Sequence, residues 1–468
     1  MLTSEKLDAV LERASKLVTP APSEEKRLKA VSSKVLSLLD EAMSRLPPSA
    51  ARPEVQIGGS YARGTWLKGN HDIDFFLLYP VEYAREALEG EAIKLAQKAV
   101  ESHPVNMRFA EHPYVEAFVD QVRVNLVPCY KVLPGEWKSA ADRSPYHTKY
   151  INSKLDDTLR LEARLFKKFM KATGTYGAEV KIHGFSGYVC EVLTIKFGSF
   201  RRTLEGLSSS KPQEVISLEE YDRDVAAAFK SPLVILDPVD TTRNLGAAIS
   251  AKNVAKTVIQ SRRFLASPKI GFFEPPKQRI ANFSNPKTRE ILSRVAVVEF
   301  KTAKRSPDIL WGQLKKSSGA VSNKLETIGF KVLRSSAATN EKSDSALLFL
   351  LLERELEELS YRKGPEYFRG EEVQNYISKN SRRALLTWID EEGRLSSVFK
   401  RRERGLDAVS MLKDMLSKEK IGSAGLSFEI RREIGSRKPS VTWGDELVRK
   451  HKDRNWLISE LSALVSEE

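Results

Sequence analysis

Residues 58–78 read Gly58-Gly59-Ser60-Tyr61-Ala62-Arg63-Gly64-Thr65-Trp66, a short spacer, then Asp72-Ile73-Asp74-Phe75-Phe76-Leu77-Leu78. Two carboxylates one residue apart, at the head of an apolar run that reads as a strand, point to the same face of a sheet. Hard divalent cations such as Mg²⁺ take oxygen ligands, commonly one or two protein carboxylates plus substrate phosphates. The Gly59-Ser60 turn has little side-chain bulk, so its amides and the Ser60 hydroxyl can approach a phosphate closely. Arg63 adds a fixed positive charge for the same anion. A lone Asp-x-Asp is often only a solvated pair, and a lone Gly-Gly-Ser is usually a turn. The ordered combination carries the specificity, provided it sits in a strand–turn–strand context. It is the equipment of nucleotidyl transfer.

The rest of the chain sets the frame for that chemistry. At 468 residues there is room for roughly three domains. A hydrophobic fraction of 41% and a charged fraction of 29% are those of a globular protein, so a fibrous or disordered class is excluded. No apolar run is long enough to span a bilayer, and the polar N-terminus has no signal-peptide core. Cys129 and Cys190 are too few for a zinc cluster or a disulfide framework; both read as buried, unreactive thiols, and a reducing cytoplasm fits. Lys and Arg number 76 against 62 acids, a net charge of +14. The excess gathers at Arg382-Arg383, Lys400-Arg401-Arg402 with Arg404, Arg431-Arg432, Arg437-Lys438 and Arg449-Lys450 with Lys452, interleaved with Trp388, Phe399, Trp443 and Trp456. Such a distribution points to a polyanionic partner and an RNA-gripping module separate from the Asp-x-Asp site.

Periodicity places these features in an α+β, multidomain chain. Residues 23–46 predict an amphipathic helix with Ser23 as its cap and Pro47-Pro48 as its end. Strands are expected at 54–57, 72–78, 107–110, 114–119 and 122–127, the last two joined tightly at Asp120-Gln121, with a helix over 82–101. Further helices are expected at 156–172 (stopped by Gly174), 186–206 and 253–266, and a strand at 234–236. Beyond the prolines at 268, 275 and 276 the pattern is α+β, with strands at 294–301, 331–334 and in the 345–358 run, and a helix over 306–328. Trp311 and Phe185 read as core residues. The expected domains are a catalytic head (1–146), a central domain (147–268) and an RNA-gripping body and tail (269–468).

The segment from Gly59 to Asp74 resembles the signature of the DNA polymerase β nucleotidyltransferase superfamily. Glu111-His112-Pro113-Tyr114-Val115, Val127-Pro128-Cys129-Tyr130, His147-Thr148-Lys149, Tyr176-Gly177-Ala178-Glu179-Val180, Phe185 to Glu191, Asp237-Pro238-Val239-Asp240 with Arg243-Asn244, and Pro307 to Leu314 narrow the likeness to archaeal-type, class I CCA-adding enzymes. The resemblance implies a mixed-sheet nucleotidyltransferase head, a helical central domain and an α+β C-terminal body with a tail. It implies template-independent addition and repair of the 3′-terminal CCA of tRNA from CTP and ATP, with two Mg²⁺ ions, the acceptor–TΨC half of tRNA as partner, and commonly a homodimer.

By that resemblance Asp72 and Asp74 hold the metal ions, and Gly59, Ser60 and Arg63 bind the triphosphate. His147, Lys167 and Tyr176 extend that grip, and Arg243 meets the incoming base. On spacing alone His147, Lys167 and Tyr176 read as a surface histidine, a solvated helix lysine and a packing residue; only the motif match assigns them. One position departs from the family pattern. The third carboxylate belongs in an acid-x-Val-Pro stretch, and here the chain reads Asn125-Leu126-Val127-Pro128. An amide oxygen can coordinate a metal but brings no charge and cannot act as a base. A natural site of two acids and an amide and an inactivated variant both remain open. Asp120 as a substitute lies roughly 16 Å away along an extended strand. Two other functions compete with CCA addition: a poly(A)-polymerase-like enzyme sharing the head, and a tRNA-binding protein whose chemistry has lapsed at Asn125.

Overall fold

The computed structural model describes residues 2–109, 113–275, 283, 285–340, 342–356, 358–380, 382–400, 407–450 and 455–465. Glu111 and His112 of the quoted motif lie outside the described residues, as do Pro276 and, from the basic clusters, Arg401, Arg402, Arg404 and Lys452. The chain forms two compact units, Met1–Lys277 and Gln278–Glu468.

The first unit begins with α1 (Leu2–Val18), α2 (Pro22–Ser44), β1 (Glu54–Gly58), the one-turn α3 (Gly59–Ala62), β2 (Asp72–Tyr79), α4 (Arg85–Ala99), β3 (Val105–Phe109), β4 (Pro113–Val119) and β5 (Val122–Tyr130). The strands make one mixed sheet in the order β1-β2-β5-β4-β3, with only β2 and β5 parallel. The two-residue period of β2 sends Ile73, Phe75 and Leu77 into a core with Leu28, Val31, Val35 and Leu39 of α2 and Leu88, Ala92 and Ala96 of α4. Asp72 and Asp74 are thereby turned to the opposite face. Between β4 and β5, Asp120 and Gln121 both take left-handed φ values, 48° and 63°, the pairing that matches strand twist in a two-residue hairpin. Lys34 Nζ holds Asp120 at 3.0 Å, so that acid is committed to the turn. The expected capping Ser23 lies inside the helix instead: Ala21 is the N-cap, Pro22 opens the first turn, and Glu24 accepts the Ala21 amide at 2.7 Å.

After the sheet come α5 (Ser144–Lys154), α6 (Asp157–Ala172), α7 (Gly187–Phe197), α8 (Phe200–Ser208), β6 (Val215–Ile216), α9 (Arg223–Ala227), β7 (Val234–Asp237), β8 (Asp240–Asn244) and α10 (Ala251–Ala266). The single helix expected over 186–206 is two, because Gly198 is left-handed at φ 81° and Ser199 caps a new start. Phe169, Phe200, Phe264, Phe272 and Phe273 cluster with ring centroids 5.4 to 6.3 Å apart and fasten α6, α8 and α10 together. The unread helix α1 lays Leu7, Val10, Ala14 and Val18 on the same core.

The second unit contains α11 (Pro286–Leu292), β9 (Val295–Lys301), α12 (Pro307–Ile328), β10 (Val332–Thr339), β11 (Ser345–Leu352), β12 (Leu359–Glu366), α13 (Gly370–Asn380), β13 (Leu386–Ile389), β14 (Arg394–Lys400), α14 (Ala408–Met415), α15 (Phe428–Ser436) and β15 (Ser440–Trp443). β11 is central in the antiparallel sheet β10-β11-β9-β15. Its even-numbered residues join a core with α12 and α14, while Leu347 and Phe349 join a second core on the other side. Burial on both faces is why 345–352 is a continuous apolar run. Trp443 and Phe399, read as aromatics between basic clusters, are buried; the Trp443 indole donates to Asp407 at 3.0 Å. Trp311 is half-buried and Phe185 fully buried. Among the described residues no helix is long and apolar enough to cross a membrane.

Phe169 has no exposed surface and touches four other phenyl rings. Phe169→Ala is expected to cost about 3–5 kcal/mol, read from denaturant unfolding of the whole chain.

Candidate active site

The turn and the carboxylate strand meet at one glycine. Gly59 is left-handed, φ 67°, and a Cβ there would stand 1.8 Å from Asp74 Oδ2. Register pairing of Gly58 with Asp74 brings the turn this close. In the parallel pair β2–β5, Asp72 lies beside Arg123 and Asp74 beside Asn125. Arg123 donates from Nε to Asp72 Oδ1 at 2.9 Å and from Nη2 to the other oxygen. Asn125 Nδ2 donates to Asp74 Oδ1 at 2.8 Å. Burial pushes the Asp74 carboxyl above the usual aspartate range, against the opposing pull of Asn125 and the Arg63 charge. The other amide atom, Asn125 Oδ1, is buried and has no hydrogen-bond partner among the described residues. An orphaned oxygen beside two carboxylates is a donor set that suits a hard divalent cation. No three His, Cys, Asp or Glu side chains among the described residues form a metal-binding group. That follows from an amide standing at the third position.

Beneath the turn lies a buried charge network that the sequence did not announce. Glu191 of α7 has no exposed surface and faces two cations. Lys167 Nζ stands 2.6 Å from Oε1, and Arg63 Nε stands 2.8 Å from Oε2, an ion contact without hydrogen-bond alignment. The Thr65 hydroxyl donates to Glu191 Oε1 and accepts from Lys167 at 2.9 Å. Burial pushes the Glu191 carboxyl up, but Arg63 and Lys167 outweigh it and hold the group below the usual glutamate range. Lys167 is also bonded to the Thr65 carbonyl, so its three ammonium donors are spent. One face of α6 completes the grip. Arg160 donates to the Arg63 carbonyl, and Arg164 donates to the carbonyls of Gly64 and Trp66. Positions 160, 164 and 167 share a face by helical spacing.

A second buried acid gathers the remaining candidates. Asp237, fully buried at the end of β7, accepts from His147 Nε2 at 2.9 Å, Arg243 Nη1 at 3.0 Å, the Tyr188 hydroxyl at 3.2 Å and the Val239 amide at 3.2 Å. Burial lowers the His147 pKa, against the opposing pull of Asp237. Tyr188 links the networks: it stacks on His147 with centroids 3.9 Å apart, and the Arg63 guanidinium lies 5.9 Å from its ring. Tyr176 sits at the mouth of α7, where a Cβ on Gly187 would meet its hydroxyl at 2.8 Å, and Lys171 lies over its ring at 5.1 Å. Every candidate is therefore tied by contact or register into one continuous site; the carbonyl of Ser60, half-buried on α3, accepts the Thr65 amide at 3.0 Å.

Residues 36–147 match the nucleotidyltransferase domain, 161–274 the second domain of tRNA nucleotidyltransferases and 293–436 the C-terminal domain of CCA-adding enzymes. The CCA-adding enzyme of Sulfolobus acidocaldarius is 36% identical over 403 residues, covering 86% of this chain and 90% of that protein. That of Pyrobaculum islandicum is 37% identical over 380 residues, covering 80% and 86%. The chain belongs to the CCA-adding enzyme family. It is a nucleotidyltransferase, with a polymerase-β-type head in an α+β, multidomain chain. Among solved structures, E. coli MS115-1 CdnC with ATP superposes at a TM-score of 0.45 and 17% identity, over 57% of this chain and 94% of that one. For this family member, Glu191, Asp237, Tyr188, Arg160 and Arg164 are the site residues that sequence reasoning passed over. Glu191 and Asp237 stood inside quoted motifs, and only burial reveals their work.

Glu191→Gln is expected to leave buried cations uncompensated and cost about 3–5 kcal/mol. Because the folded-state pKa of Glu191 is depressed, its stabilisation is present above the ordinary glutamate range and lost as pH falls through the lower folded value. Melting curves of wild type and variant should converge on acidification.

Proposed function

We propose that this enzyme adds and repairs the 3′-terminal CCA of tRNA from CTP and ATP, without a nucleic-acid template. The observation that carries the reading is the joining of the Asp72/Asp74 strand, the Gly59-Ser60 turn and the Asp237-anchored His147 and Arg243 into one site, in a chain of this family. Asp72 and Asp74, with the Asn125 amide oxygen, would hold two Mg²⁺ ions. Such ions, when bound, activate the primer hydroxyl and neutralise charge on the transferring phosphoryl group. Gly59 lets backbone and carboxylate crowd together, and Ser60 and Arg63 receive the triphosphate. His147, held in place by Asp237, lines the pocket, and Tyr176 closes it beside α7. Lys167 works from beneath by fixing Thr65 and Arg63, and Arg243, half-exposed and aimed by Asp237, reads the base. Positioning and charge neutralisation supply most of the rate in such transfers.

The head 1–146, central domain 147–268 and body with tail 269–468 would divide the labour. Arg382, Arg383, Arg432, Arg437 and Lys438 are exposed on the second unit, as are Tyr361 and Trp388, whose rings lie 5.8 Å apart. These would contact the acceptor and TΨC arm of tRNA. A homodimer and a cytoplasmic location are part of the reading. Asn125 favours one second reading, a tRNA-binding homologue whose chemistry has lapsed, since an amide brings no charge to the third ligand position.

A tRNA lacking its terminal CCA, incubated with CTP, ATP and Mg²⁺, is expected to gain C, C and A in order. A-only tailing would favour a poly(A)-polymerase-like enzyme, and tight binding without incorporation would favour the lapsed homologue. Asn125→Asp is expected to raise the incorporation rate about 10²-fold with little change in tRNA affinity, by analogy with other lost electrostatic groups. The logarithm of tRNA affinity should fall linearly and steeply with the logarithm of salt; a flat profile removes the basic clusters from the interface.

A further inference from the structure

Asn125 is not the only unusual residue on the catalytic face of the sheet. Register places Asp72 beside Arg123 in one row, and Asp74, Asn125 and Glu116 across β2, β5 and β4 in the next. By the two-residue period these side chains share one face. Three carboxylates stand there, but two are already paired. Arg123 engages both oxygens of Asp72, and Arg108 holds Glu116 Oε1 at 2.8 Å. Among the described residues Asp74 receives only the amide of Asn125. Glu116 is buried, with its Oε1 held by Arg108.

A guanidinium and a divalent cation on one carboxylate compete for its lone pairs and repel each other. A free metal ion arriving at Asp72 must therefore weaken or displace a two-donor ion pair and sit near its positive charge. A metal–nucleoside triphosphate complex faces no such opposition, because its phosphates offer the guanidinium new acceptors. We infer that Arg123 is the resident counter-ion of Asp72 in the metal-free enzyme, and that it yields this carboxylate to a divalent cation arriving with a nucleoside triphosphate. This rests on the reading of Asp72 and Asp74 as metal ligands. Arg123 is thus a positioning residue that couples metal binding to nucleotide binding, on a site whose third carboxylate is missing.

The test is a Mn²⁺ titration of the full chain, followed by electron paramagnetic resonance of the free ion, with and without CTP. Arg123 is half-exposed, so Arg123→Gln should keep the wild-type melting temperature. This variant is expected to bind free Mn²⁺ about 5- to 10-fold more tightly than wild type, from loss of the competing charge. It should also show a smaller gain in Mn²⁺ affinity on adding CTP. Arg123→Lys, which keeps the charge, should stay near wild type. If Arg123→Gln binds free Mn²⁺ no more tightly than wild type while Asp72→Asn abolishes binding, the counter-ion role falls and the metal-ligand reading stands. If Asp72→Asn binds Mn²⁺ like wild type, the ligand reading itself fails and the inference falls with it.

Discussion

Glu191, a carboxylate with no solvent contact, is the point on which the active-site geometry turns. It sits between Arg63 of the Gly59–Thr65 turn and Lys167 of α6, with Thr65 bonded to the same oxygen as the lysine. Burying such a charge is costly unless partners surround it, so the three elements that supply them are held in one arrangement. The arginines of α6 add backbone contacts to residues 63–66. The turn is therefore fixed from below by α6 and α7, while Gly59 lets it lie against Asp74 from above. Turn and carboxylate pair share one frame.

Asp237 gathers a second set of side chains as Glu191 gathers the first. Its two oxygens serve His147 and Arg243 on one side and Tyr188 and the Val239 amide on the other. Tyr188 bridges the two acids through its stacking on His147 and its nearness to Arg63. The two sets of side chains are thus joined in one connected network of buried hydrogen bonds and ion contacts.

What could be read from sequence was what local chemistry dictates. The β2 alternation, the Asp120-Gln121 hairpin and the helix expected over 156–172, which begins one residue later at Asp157, all follow from neighbouring residues. Gly198-Ser199 carried a legible break, a C-terminal glycine followed by a capping serine, which the apolar run around it masked. Trp443 looked like an RNA-facing aromatic because charge surrounds it in sequence, yet β15 turns it into the core. The buried networks were not legible at all. Thr65 and Glu191 are 126 residues apart, and nothing local to either tells a solvated glutamate from one enclosed by two cations. The same holds for Arg123, whose meaning appears only when β5 lies parallel to β2.

The account stands on Asp72 and Asp74 facing the reacting phosphate across the Gly59 turn. Anomalous diffraction from crystals soaked with Mn²⁺ and a non-hydrolysable CTP analogue tests this directly. The account predicts manganese between these two carboxylates and the α-phosphate. Manganese and nucleotide bound elsewhere, with both aspartates turned away, would contradict it.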